Sequence, residues 1–279
     1  IFFSKTSNRS LKINRVIFSL IDPDKRVNGK GKKILKKNNL EVKSGLLENQ
    51  IKNLYQGYIL NRKENRPKII LKLAITKDGY ITFEKGKRTK ITNLISDKYS
   101  DILRSEVDAI LVGANTVRTD NCILKCKMTG LINKSPIRIV LNRKLDLSTN
   151  SKIFKNCKEF RTILFTSNSS KNLIKNYEKK GVEVTFLKKE FYTLKNILKK
   201  LSSLGISNLL VEGGGKIFNS FFKENFFDYI YIFRSNLFSG IKEKKFSEAK
   251  IDVSNFRLKK SYVKKFGDNL LEIYKNKKI

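Results

Sequence analysis

The chain has 279 residues, with 60 Lys and Arg against 25 Asp and Glu, no histidine and three cysteines. That length holds one domain of about 200 residues and a smaller piece, and a hydrophobic share of 40% is enough for a core, which argues against disorder. The formal charge of +35 invites a nucleic-acid reading. However, the lysines are scattered over every segment without an aromatic-interleaved stripe, so a drift towards Lys, Asn and Ile explains them as well, and nucleic acid is not the expected partner.

No apolar run reaches the roughly 20 residues of a membrane span. Residues 1–3 are too short for the apolar part of a signal peptide, and the opening on Ile rather than Met points to a start further upstream. Cys122, Cys126 and Cys157 form an odd set without framework spacing, the pattern of a reducing compartment and hence the cytoplasm. With no histidine to join Cys122 and Cys126, a structural zinc site is not expected.

In chain order, the first candidate strand is Val16–Leu20, followed by a loop at Asp22-Pro23-Asp24. A helix at Gly31–Lys37, a short extended piece at Val42 and a helix at Glu48–Leu60 complete a βαβα fragment, too small to stand alone. The charged stretch Asn61–Pro67 closes on a proline that disfavours helix just before it, and divides residues 1–62 from residues 66–279.

Beyond it, short apolar runs alternate with amphipathic stretches. Lys68–Leu73 is a strand ending near an Asp78-Gly79 turn that needs no further role. In Asn93–Ser105, Leu94, Ile95, Tyr99, Ile102 and Leu103 share one helical face. Strand Ala109–Gly113 leads into a polar turn with Thr116 and Asp120, which suits a hydroxyl-rich ligand but also many surface turns. Strands Ile137–Leu141, Thr162–Phe165 and Val182–Phe186 follow, with helices marked by Leu173, Ile174 and Tyr177, then by Leu194, Ile197, Leu198 and Leu201. Strand–helix alternation reads as α/β with a largely parallel sheet. The late strands Tyr229–Phe233 and Leu270–Tyr274, joined without a clear helix, read as antiparallel additions.

The most informative stretch is Asn208–Ser220, where a buried strand runs into Gly213, Gly214 and Gly215 and then into a helical pattern. Glycines let a ligand approach the backbone, and a helix start attracts an anion such as a nucleotide phosphate, with Lys216 adding charge. The pattern is neither a Walker A loop nor GxGxxG, so a turn needing glycine for geometry alone remains the alternative. Glu212 stands at the strand's end, either facing that cleft to accept hydrogen bonds from a sugar or a pyrimidine, or paired with a lysine.

Three stretches taken together, Arg66-Pro67 with Leu71–Gly79, Ala109–Asp120 and Leu209–Gly215, resemble the reductase domain of the bacterial bifunctional riboflavin deaminase–reductases, the RibD family. Pro136–Leu141 fits the next family strand in order, and the likeness runs from Arg66 to the C-terminus. The resemblance implies a dihydrofolate-reductase-like α/β fold with a mostly parallel central sheet, NADPH as cofactor and a homodimer. It also implies that residues 1–62 are the tail of a cytidine-deaminase-like domain, without that chemistry's His-x-Glu and Pro-Cys-x-x-Cys zinc motifs. Deaminase activity is therefore not expected from this chain.

Position by position, the resemblance implies that Ala74, Thr116, Asp120, Gly214, Gly215, Lys216, Ile217, Phe218, Asn219 and Ser220 contact NADPH. It places Arg104, Leu124, Lys127 and Glu212 against the substrate, with Lys127 replacing a family arginine, so the charge stays and the bidentate fork is lost. Arg88 stands where the family has a substrate-binding serine, Lys90 where a tryptophan lies along the cofactor, and Cys122 where a proline is usual. The implied reaction is reduction of 5-amino-6-(5-phosphoribosylamino)uracil at ribose C1, with Asp120 orienting the reacting ends or assisting proton transfer. The rival readings are another NADPH reductase of this fold and a non-catalytic basic remnant that binds nucleotides or RNA.

Overall fold

A computed structural model describes residues 13–83, 89–241, 250–251 and 258–277. The chain forms two compact units, Ile1–Arg66 and Pro67–Ile279.

In the first unit, strand β1 (Arg15–Phe18) pairs in parallel with β2 (Glu41–Ser44) across helix α1 (Lys30–Lys37). The single helix expected at Glu48–Leu60 is two, α2 (Glu48–Leu54) and α3 (Gln56–Glu64), and the second runs through most of the stretch read as a linker. Among the described residues of this unit no apolar side chain is buried, and Ile17, Ile34, Leu46, Leu47 and Leu54 are all at least half exposed. Polar contacts hold its loop: Asp24 accepts from Arg26 at 2.6 Å and Tyr58 donates to Asp22 at 2.9 Å.

The second unit is built on a nine-stranded sheet. Its strands are β3 (Lys68–Ile75), β4 (Ala109–Gly113), β5 (Ile137–Leu141), β6 (Thr162–Thr166), β7 (Glu183–Phe186), β8 (Asn208–Val211), β9 (Tyr229–Arg234), β10 (Lys260–Phe266) and β11 (Asn269–Lys275). The spatial order is β10-β11-β9-β3-β8-β4-β5-β6-β7, and the seven strands from β9 to β7 are parallel. The late strands are only half as expected: β11 is antiparallel, but β9 is a parallel neighbour of β3. Helix α8 (Gly215–Lys223) carries the chain from β8 on one side of β3 to β9 on the other, and this crossover makes β9 parallel. Strand β10 is antiparallel to β11 and was not anticipated, because an exposed, lysine-rich edge strand carries no apolar signal.

Cores lie on both faces of the sheet. One holds Leu71, Leu111, Ile139, Phe165 and the inward side of α7 (Leu194–Ser203); the other holds Ile110, Val140, Leu164 and Tyr177 of α6 (Lys171–Glu178). Fully buried strands on both faces explain the continuous apolar runs read in β4 and β6. Helix α4 (Leu94–Ser105) departs from its expected apolar face. Leu94 and Ile95 are more than half exposed, while Ser96, Ser100, Asp101 and Leu103 are buried. The polar turn after Gly113 is helix α5 (Ala114–Asp120), and Val117 is its only buried residue.

Candidate functional site

The carboxyl ends of β4, β5 and β8 open onto a cleft of about 410 Å³ lined by Gly113, Thr116, Arg143, Gly214, Lys216 and Ile217, among others. Its geometry comes from glycine. A Cβ on Gly213 would lie 2.5 Å from Ile217 Cβ, and one on Gly113 would lie 2.7 Å from Ile217 Cγ1. Helix α8 can therefore start close against the strand ends only because β4 finishes in Gly113 and the turn after β8 carries Gly213. Gly214 is its N-cap and supplies no side chain, so the helix's first turn faces the cleft with its positive dipole end uncapped. The Gly214 amide donates to Thr116 Oγ1 at 3.1 Å, tying α5 to this turn.

Immediately before the glycines, Glu212 receives a two-pronged contact from Arg104 of α4: Nε to Oε1 at 3.0 Å and Nη2 to Oε2 at 2.8 Å. Arg104 Nη1 also donates to Asp101 at 2.9 Å. Glu212 and Arg104 expose only 12% and 16% of their side chains, so the pair sits in a weakly screened environment. Burial alone would raise the Glu212 carboxyl, but Arg104 and Lys72 overcome it and hold the group at about 2. The Arg104 guanidinium, despite its burial, is held above its usual range by Glu212 and Asp101. Lys72 lies over the Phe233 ring at 5.3 Å, and burial lowers its ammonium against the pull of Glu212.

The expected site residues divide into groups. Thr116, Gly214, Gly215, Lys216 and Ile217 line the cleft. The expected binding loop through Ser220 is a helix from Gly215 onward, which changes the reading of its last three positions. Phe218 is buried in the core, while Asn219 and Ser220 lie exposed a turn further on, and the Ser220 hydroxyl donates to the Lys216 carbonyl. Ala74 is half-buried on β3 opposite Phe233.

Asp120 ends α5, and its carboxylate accepts from Thr119 Oγ1 at 2.9 Å. Arg104 and Glu212, both expected against the substrate, are paired with each other, because an enclosed carboxylate is retained only with a counter-charge. Leu124 is buried in a left-handed conformation at φ 57°. The Lys127 side chain is exposed while its amide donates to Asp101 Oδ2 at 2.9 Å. Lys90 is exposed, 4.0 Å from Asp97, and Arg88 lies outside the described residues.

Sequence reasoning missed Lys72 and Asp101. The alternation of β3, which puts Lys72 on the face opposite Leu71 and Leu73, could have signalled the first. Nothing local marked the second.

Cys126 and Cys157 are buried, and burial, with the charges of Asp120 and Glu212, pushes the Cys122 thiol up to about 12. No group of three or more His, Cys, Asp or Glu poised for a metal exists among the described residues.

A parallel sheet whose strand ends present a glycine-started helix beside an enclosed carboxylate–guanidinium pair defines an α/β protein with its candidate ligand cleft at the strands' carboxyl ends. More specifically, the chain belongs to the RibD C-terminal domain family, whose model matches residues 67–271. It is 38% identical over 221 residues to the riboflavin biosynthesis protein RibD of Aquifex aeolicus, covering 79% of this chain and 61% of that protein. The RibD of Bacillus amyloliquefaciens is 28% identical over 228 residues, 82% of this chain and 61% of the relative. The chain thus spans about three-fifths of the length of these relatives.

Among solved structures, a diaminohydroxyphosphoribosylaminopyrimidine deaminase/5-amino-6-(5-phosphoribosylamino)uracil reductase from Thermotoga maritima superposes with TM-score 0.77 and 29% identity. The match covers 94% of this chain and 71% of that one. Acinetobacter baumannii RibD superposes with TM-score 0.80 at 22% identity over 94% of this chain and 72% of that one, a likeness of fold.

Proposed function

We propose that the chain acts in riboflavin biosynthesis as an NADPH-dependent reductase, converting 5-amino-6-(5-phosphoribosylamino)uracil to its 5-phosphoribitylamino product. The observation that carries this reading is the succession at the end of β8, where the enclosed Glu212–Arg104 pair is followed directly by the glycine cleft. In this reading, that juxtaposition would set polar substrate contacts beside an anion-binding helix start. The 38% identity to a RibD protein supports the same reaction.

The cleft suits a nicotinamide dinucleotide. Gly113, Gly214 and Gly215 expose backbone to it, an uncapped helix start faces it, and Arg143, Lys144 and Lys216 are among its lining residues. Thr116, Gly214, Gly215, Lys216 and Ile217 would hold the phosphates, and Ala74 would border the ring. When bound, NADPH supplies the hydride that C1 of the ring-opened ribosylamine accepts.

The protein's share is to hold and orient. Glu212, fixed by Arg104, accepts hydrogen bonds from neutral groups of the pyrimidine. Lys72, a partly buried cation that feels the charge of Glu212, would deliver the proton that balances hydride addition, and Asp120 would orient the reacting end. Lys127 offers an exposed ammonium for the substrate phosphate. Closing donor and acceptor into line without water supplies most of the acceleration.

The first unit is read as the last part of a cytidine-deaminase-like domain, a reading supported by the Thermotoga superposition extending over 94% of the chain. With no histidine, this chain supplies no His-x-Glu zinc motif, and no deamination is expected from it. A homodimer and a cytoplasmic location complete the proposal; no helix of the described residues is long and apolar enough to cross a membrane.

The test is NADPH oxidation with the phosphoribosylamino-pyrimidine or with dihydrofolate. Turnover of the former alone is expected, and turnover of dihydrofolate alone would overturn the assignment.

A further inference from the structure

Helix α4 turns a polar face inward, and Asp101 lies at its centre with 7% of its surface exposed. Its two carboxylate oxygens serve different elements. Oδ1 accepts from Arg104 Nη1 at 2.9 Å, and Oδ2 accepts from the Lys127 backbone amide at 2.9 Å. The Asp101 carbonyl in turn faces Cys126 Sγ at 3.5 Å, one residue before Lys127. A single rigid carboxylate thus spans the guanidinium on α4 and the chain segment that carries Lys127.

Arg104 already commits Nε and Nη2 to Glu212. With Nη1 on Asp101, three of the five N–H donors of a guanidinium are used, and one remains on each terminal nitrogen. Their direction is set by the plane that two carboxylates define, since a fork of this kind has little freedom once both prongs are held. If Asp101 is altered, the Glu212 fork remains, but Nη1 and the Lys127 amide lose their common acceptor.

We propose that Asp101 is a positioning residue for recognition of the substrate's phosphate. It acts through Arg104 and Lys127 by holding the two cationic residues at one separation. This rests on the reductase reading above, in which a phosphorylated substrate reaches Lys127. The chemistry is specific: Asn at this position would turn an NH2 group towards one of two donors, so one contact must break. Glu would keep the charge but carry it one methylene further.

The experiment compares the chain with its Asp101→Asn and Asp101→Glu variants. The readouts are kcat and KM for the phosphorylated substrate and for its dephosphorylated analogue, inhibition by inorganic phosphate, and the NADPH dissociation constant. Asp101→Asn should lower kcat/KM for the phosphorylated substrate by about 10- to 100-fold, the loss of one charge-assisted hydrogen bond. The loss should fall mainly in KM, with phosphate inhibition weakened in parallel and NADPH affinity unchanged. The dephosphorylated analogue should lose less than threefold, and Asp101→Glu should fall between wild type and Asp101→Asn.

Equal losses on both substrates, or an unchanged KM, would overturn the inference, because general damage does not distinguish a phosphate. Should Asp101→Asn fail to fold, Asp101→Glu alone decides by the same ratio of losses. A wild-type chain that binds NADPH but leaves the phosphorylated substrate unreduced would overturn the functional reading instead, and the inference with it.

Discussion

Arg104 grips Glu212 with two parallel contacts, at 3.0 and 2.8 Å, across a separation of more than a hundred residues in sequence. The pair joins the end of α4 to the end of β8, where the glycine cleft begins. Because both groups are largely enclosed, their value lies in mutual dependence: each is costly to bury without the other.

A double-substitution cycle should expose that dependence. Arg104→Met is expected to destabilise by about 3–5 kcal/mol, because it strands the Glu212 carboxylate. Arg104→Met combined with Glu212→Leu should recover part of that loss, Asp101 still lacking its guanidinium partner, while abolishing reduction. Urea unfolding measures the first outcome and NADPH oxidation the second. Additive destabilisation in the double variant would contradict the coupling.

The acid limb of stability should report Glu212. Its folded-state carboxyl is held at about 2, below its ordinary 4.5, so the ionised form favours the folded state. The contribution is complete above the unfolded value and fades as pH falls from about 5 towards 2; a depression of this size corresponds to about 3 kcal/mol. Glu212→Gln should flatten that limb in urea titrations repeated between pH 6 and pH 2.

Gly213 should tolerate no side chain while Ile217 stands over it. A Cβ would meet Ile217 Cβ at 2.5 Å, so Gly213→Ala is expected to cost about 1–3 kcal/mol, as overpacking does, and to weaken NADPH binding by displacing α8. Removing the opposing Cβ, as Gly213→Ala with Ile217→Gly, should restore most of the cofactor affinity. Thermal melts and fluorescence titration with NADPH check both.

Cys122 should be sluggish towards alkylating agents. With its thiol at about 12, raised first by burial and then by Asp120 and Glu212, only a trace is thiolate at pH 8. Site-resolved mass spectrometry with iodoacetamide should find it labelled about a thousandfold more slowly than a small-molecule thiol. Glu212→Gln and Asp120→Asn should each speed the reaction.

The parts of this fold legible in the sequence were those with continuous burial. β4 and β6 bury every residue, and α7 turns Leu194, Ile197, Leu198 and Leu201 inward, so their apolar patterns and positions agree. The glycine cleft was legible because three successive glycines between a strand and a helix strip away the side chains that would otherwise fill the space at the strand's end. Three features were hidden for physical reasons. Helix α5 buries only Val117 and so reads as a turn. Strand β10 exposes all but Phe266. Asp101 looks like any surface acid of a helix until tertiary contacts bring Lys127 and Arg104 to it. Likewise Arg104 and Glu212 were both recognisable as site residues, but their pairing depends on an approach no local pattern encodes.

The strand order carries a consequence for synthesis on the ribosome. β3 is the first strand of its sheet to be made, yet its neighbours are β8, about 140 residues later, and β9, later still. An apolar segment that includes Ile69, Leu71, Leu73 and Ile75, all destined for full burial, must therefore wait unpaired while most of the unit is translated. At a few residues to some twenty residues per second, that interval lasts on the order of ten seconds or more, long enough for premature pairing between nascent chains. Lys68 and Lys72, spaced along the same strand, keep that waiting segment charged and so oppose such pairing.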